Sequence, residues 1–187
     1  NAVAADLDGD GEMEILYASY DGAVHCYRLD KTVPGNWPVE VYNPAEGFFR
    51  FATEPTVADL DNDGSAEVIF GSWPQKSSNG VGYLHIADAN GNELYRVPVP
   101  VVAGDWNGIL AAPTLADIDG DADLEAVVGT SATGVVAERS SSSSVIEVMV
   151  SFRNSRTVCS LMAFPHWGET VGRTMIRISV CMTGVPA

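Results

Sequence analysis

The sequence predicts an all-β fold built from one repeated unit. Three observations carry that prediction. An acidic segment recurs: Val3-Ala4-Ala5-Asp6-Leu7-Asp8-Gly9-Asp10-Gly11 returns as Val57-Ala58-Asp59-Leu60-Asp61-Asn62-Asp63-Gly64 and again as Leu115-Ala116-Asp117-Ile118-Asp119-Gly120-Asp121. Each copy runs through a glutamate into a short apolar segment closed by a small residue. Residues 1–137 show no helical period of 3.6.

The elements follow in order. Glu14-Ile15-Leu16-Tyr17-Ala18-Ser19, Glu67-Val68-Ile69-Phe70-Gly71-Ser72 and Glu125-Ala126-Val127-Val128-Gly129-Thr130 read as strands. They are short, rich in β-branched and aromatic residues, and bounded by turn formers. A second strand follows a glycine in each copy: Gly22 to His25, Gly82 to His85 and Gly134 to Ala137. A further strand fits Glu93 to Val97, after the turn Asn90-Gly91-Asn92. Near-continuous apolar strands imply burial on both faces, as when sheets stack on sheets. The first aspartates of the copies are 53 and then 58 residues apart, the spacing of a β-propeller blade with inserted loops. The expected architecture is a partial propeller of about three blades, each a four-stranded antiparallel sheet. The blades fall at approximately 1–50, 51–104 and an incomplete 105–137. Closure needs about four to eight blades, so the expected partners include further blades in a longer parent chain.

Composition narrows the function. The chain has 187 residues, 46% of them hydrophobic, enough for a core. Its formal net charge of −15 opposes nucleic acid and anionic membranes. No apolar run approaches the roughly 20 residues that span a bilayer. The three cysteines have no Cys-x-x-Cys spacing, so neither a zinc ribbon nor a redox motif is suggested. No phosphate loop or dinucleotide fingerprint occurs. Gly129-Thr130-Ser131-Ala132-Thr133 lacks the final glycine of a nucleophile elbow.

The chemistry lies in the acidic loops, which read Asp-x-Asp-x-Asp-Gly-x-x-Glu. Alternate carboxylates in a tight turn converge, and their repulsion is relieved by a hard divalent cation. Calcium takes six to eight oxygen ligands of this kind. Glycine at position six permits a turn that Cβ hinders. The first site is assigned to Asp6, Asp8, Asp10 and Glu14 with the Glu12 carbonyl. The second takes Asp59, Asp61, Asp63 and Glu67 with the Ser65 carbonyl. The third takes Asp117, Asp119, Asp121 and Glu125 with the Asp123 carbonyl, and has Ala122 where the others have glycine. An EF-hand is excluded, because position twelve is Tyr17, Phe70 or Val128 and the flanks are strands.

Other residues take plainer readings. His25 and His85 stand at equivalent strand positions, as a repeat consensus requires. Trp37, Trp73 and Trp106 sit in loop-like segments and either cover blade edges or stack on sugar rings.

At these residues the chain resembles the FG-GAP or VCBS-type repeat, the calcium-loop blade also found in integrin alpha subunits. Phe70-Gly71 is similar to the Phe-Gly signature, and Ala111-Ala112-Pro113 to a degenerate Gly-Ala-Pro. The resemblance covers residues 1–137. It implies an extracellular setting, secreted or at the cell surface, a structural calcium ion in each blade, up to three in all, and binding or adhesion rather than catalysis. A protein or a glycan is the ligand class it implies. The alternative is the propeller portion of a calcium-dependent polysaccharide lyase or other secreted carbohydrate-active enzyme.

Residues 138–187 differ in character. They contain no Asp, Lys or Tyr, and include a five-serine run, Ser140 to Ser144. One expectation is a frameshifted or disordered tail; the other is a β-rich appendage with strands at Val145 to Phe152 and Thr174 to Met182.

Overall fold

The computed structural model describes residues 1–75, 78–99, 101, 106–117 and 124–130, and the backbone of strands at 147–153, 161–163 and 175–181. The described residues are almost entirely strand and turn. The exception is a single 3-10 turn at Pro44–Glu46, capped by the Asn43 side chain, which accepts the Ala45 amide at 3.0 Å.

The first sheet is an antiparallel meander of β1 (Ala2–Ala5), β2 (Glu14–Ser19), β3 (Ala23–Arg28) and β4 (Val39–Glu40), in that spatial order. The second contains β5 (Arg50–Ala52), β6 (Thr56–Ala58), β7 (Glu67–Pro74), β8 (Tyr83–Ala87) and β9 (Glu93–Pro98). Strand β7 is long enough to pair β6 along its first half and β5 along its second. The second sheet therefore has five strands where four were expected. The third sheet orders as β10-β11-β12-β14-β13, from Thr114–Ala116, Glu125–Gly129, Glu147–Arg153, Leu161–Ala163 and Met175–Cys181. Here β12 and β14 run parallel. The tail backbone thus supplies three strands to this sheet, two of them at the segments read as strand-forming. The strand expected at Gly134 to Ala137 lies outside the described residues. None of the three sheets closes on itself.

Strand alternation explains how the sheets stack. In β7, Val68 and Phe70 face the first sheet while Ile69 faces the third, and all three are sealed from solvent. Leu7, Leu16, Val24 and Cys26 of the first sheet pack on Ala52, Val68, Phe70 and Ala87 of the second. Ile69, Leu84 and Ile86 pack on Ile109, Ala126 and Val128. Each fully buried Val, Leu, Ile or Phe among these contributes about 1.5–3 kcal/mol. Gly71 is needed at the second junction: a Cβ there would lie 2.3 Å from Ile109 Cγ2. The Phe-Gly pair is thus one buried ring followed by a point of close approach.

Polar bonds join neighbouring sheets. The Trp37 indole donates to the Ala89 carbonyl at 3.0 Å, and Thr56 Oγ1 to the Pro113 carbonyl at 2.6 Å. Trp37 is buried, and so covers a sheet junction. Arg50 is buried between the rings of Phe48 and Tyr83, pairs with Glu46 at 3.0 Å and donates to the Val81 carbonyl.

Candidate metal centre

Both fully described acidic loops connect the first two strands of a meander, β1 to β2 and β6 to β7. The strand pairing brings the ends of each loop together, with Ala5 opposite Glu14 and Ala58 opposite Glu67. The chain then turns tightly enough for position six to be left-handed, with φ of 89° at Gly11 and 93° at Gly64. Position four is left-handed too, at Gly9 (73°) and Asn62 (60°), a requirement the sequence reading missed. Glycine and asparagine tolerate that conformation.

The position-one carboxylates organise the turn. Asp6 accepts the amides of Gly9 and Gly11, both at 2.9 Å. Asp59 accepts those of Asp63 at 3.2 Å and Gly64 at 3.0 Å. Asp8 and Asp61 each accept the amide two residues on, at 3.3 and 3.2 Å. Position nine reaches back from the strand: Glu14 Oε2 accepts the Leu7 amide at 3.0 Å, and Glu67 Oε2 the Leu60 amide at 2.8 Å.

These bonds bring together Asp6, Asp8 and Glu14 in one loop and Asp59, Asp61 and Glu67 in the other. Each set offers oxygens within 4.8 Å of one another. Asp10 and Asp63 stand outside these sets, exposed, and accept the amides of Glu12 and Ser65, both at 2.8 Å. At the third loop, Asp117 is exposed and Glu125 is sealed in the core, while Asp119, Asp121 and Asp123 lie outside the described residues.

The electrostatics fit a cation. Glu14 is buried, and its Oε1 is sealed from solvent and accepts no hydrogen bond. A buried carboxylate oxygen without a hydrogen bond is costly, and a divalent ion offsets that cost more fully than a distant ion pair does. The Arg28 guanidinium approaches this oxygen to 3.6 Å and Asp8 Oδ2 to 3.5 Å, distances too long for hydrogen bonds. In the second loop, burial and then the charges of Asp61, Asp63 and Asp59 push the Glu67 carboxyl up to about 7. Asp61 is raised as well, first by its burial and then by Asp63. In the second repeat, Asp88 stands third after His85, where Arg28 stands third after His25.

The two histidines have separate settings. His25 Nε2 lies 2.8 Å from Asp21 Oδ2, and its ring stacks with Tyr17 and Tyr27. His85 is buried, with Nδ1 at 2.6 Å from Glu93 Oε1 and Nε2 at 2.8 Å from Ser72 Oγ. Burial pulls its pKa down, so the ring is neutral, donating from Nδ1 and accepting the serine hydroxyl at Nε2. This Ser–His–Glu series escaped the sequence reading because its members stand on three strands. Ser72 has no exposed surface, so the series ties β7, β8 and β9 together and presents no nucleophile.

Stacked, mainly antiparallel sheets with an acidic loop at the first hairpin of both described repeats define a repeat-built β protein with candidate cation loops. The family model described as FG-GAP-like repeat matches residues 6–70, a span holding both described loops, and this segment is similar to that repeat. Searches of curated proteins and of solved structures gave no significant match.

Proposed function

We propose that each acidic loop holds one calcium ion, and that the chain belongs to a propeller-type module that works by binding or adhesion outside the cell. The observation that carries this reading is the buried Oε1 of Glu14, which accepts no hydrogen bond, amid converging carboxylates. The ligand set is the one the sequence suggests: positions one, three and nine directly, with position five and the carbonyl of position seven completing the shell. Calcium supplies the positive charge that holds the loop closed, and so fixes the first hairpin of each blade. Affinities of about 0.1–1 mM suit extracellular calcium levels. No helix among the described residues is long and apolar enough to cross a membrane.

Further blades in a longer parent chain are part of this proposal, supported by register. Val68 and Phe70 of the second sheet are buried against the first, and His85 is buried with its ring stacked on Phe70. Their repeat equivalents in the first sheet, Ile15, Tyr17 and His25, form a face that is only half-buried. A preceding blade of the same repeat type matches that face.

The test is calorimetric titration with calcium. The wild-type chain is expected to bind at least two ions, and Asp61→Ala to lose one. Unchanged stoichiometry and affinity in the variant would remove the assignment.

A further inference from the structure

The two described loops touch each other. Ala66, between Ser65 and Glu67 in the second loop, donates its amide to the carbonyl of Leu7 at 2.8 Å. Leu7 lies between Asp6 and Asp8 of the first loop, and its own amide is the one held by Glu14 Oε2. A continuous series therefore runs from Glu14 through the Leu7 peptide to Ala66 and the adjoining Glu67. Glu67 in turn holds the Leu60 amide. A second contact lies beside it: a Cβ on Gly9 would fall 2.9 Å from the carbonyl oxygen of Gly64. Leu7 is buried and Ala66, half-buried, packs against the same apolar cluster, so the Ala66–Leu7 bond is partly shielded from water.

We propose that the two loops form a coupled pair, in which calcium in one raises the affinity of the other. The proposal rests on the calcium reading given above. Its cause is shared ordering. Fixing Glu67 and Ser65 about an ion also fixes the Ala66 peptide between them. That peptide then holds Leu7, and with it the positions of Asp6 and Asp8. The conformational entropy of closing the first loop is in part already lost when the second is filled. Coupling of this kind is reciprocal.

The test follows each loop separately. Hydrogen exchange is measured during a calcium titration, reading peptides that cover residues 6–14 and 59–67. In Asp61→Asn, the calcium midpoint for protection of the 6–14 peptide should rise about 5-fold or more. In Asp8→Asn, the 59–67 midpoint should rise by the same factor. Asparagine keeps an oxygen for the loop amide, and circular dichroism checks that each variant folds. In a variant that fails to fold, the wild type decides: coupled loops gain protection together and more steeply than a single-site curve, whereas single-site curves in both loops would overturn the coupling. Midpoints that stay put when the other loop is altered would overturn the coupling while leaving calcium binding intact. If neither loop of the wild type gains protection at millimolar calcium, the calcium reading itself falls, and the coupling with it.

Discussion

Glu67 Oε2 accepts the backbone amide of Leu60 at 2.8 Å, so the last residue of the acidic loop closes it on the second. Leu60 is 6% exposed and Glu67 5%, which places this bond away from water. The same bond joins Glu14 and Leu7, and gives the glutamate a role that does not depend on a metal ion.

Glu67→Ala should therefore destabilise the protein even with calcium removed. A buried amide losing its acceptor costs about 1–3 kcal/mol. Urea unfolding in excess chelator measures this, and Glu67→Gln, which keeps an acceptor oxygen, should recover most of it. Equal loss in both variants would show that the amide bond matters little.

Arg28 stands between Asp8 and Glu14, where calcium is proposed to bind. The ion must displace or overcome that positive charge. Arg28→Met is expected to tighten calcium binding at the first loop about two- to five-fold, the scale of a half-exposed ion pair. The loop has a cation of its own, and weaker binding after its removal would contradict that view.

Stability should fall in mild acid because of His85. Its folded pKa is lowered by burial from the usual 6.5, so the unfolded chain takes up the proton more readily. The neutral ring's contribution is complete above pH 6.5 and is lost as pH drops through the folded value. Glu93, held low by His85 and Arg96 against its burial, adds a second loss below pH 4.5. Thermal unfolding between pH 7 and 5 should slope less steeply in His85→Gln, since glutamine can donate and accept without titrating. Parallel slopes would assign the loss to other groups.

Gly71→Ala should destabilise by about 1–3 kcal/mol through overpacking against Ile109 and Thr53. Combining it with Ile109→Ala should give less than the sum of the two single effects, because the second change removes the nearer of the two Ile109 atoms that clash. Strict additivity in denaturant unfolding would mean the two residues do not meet.

The repeats were legible because their signals are local. Alternate aspartates before a glycine fix a turn within nine residues, and a short β-branched and aromatic run such as Glu67 to Phe70, closed by Gly71, reads as a strand buried on both faces. The convergence of Asp6, Asp8 and Glu14 was legible for the same reason. Contacts between distant segments were not. Ser72, His85 and Glu93 lie up to 21 residues apart and meet only through strand register. The Ala66–Leu7 bond joins separate repeats, and nothing about an alanine announces it. Strand β5 escaped notice because Arg50-Phe51-Ala52 is short, and its pairing depends on the unusual length of β7. Asp10 and Asp63 were assigned by spacing alone, whereas their nearest work is to hold the amides of Glu12 and Ser65.

The bond from the Trp37 indole to the Ala89 carbonyl spans 52 positions of sequence and joins the first sheet to the second. Trp37 is the one tryptophan with a described side chain that is fully enclosed, since Trp73 and Trp106 are half-buried. It is therefore a natural optical gauge of that seam. With the other three tryptophans replaced by phenylalanine, its emission should stay blue while the two sheets remain docked and shift red when they part, even if each sheet keeps its own strands paired.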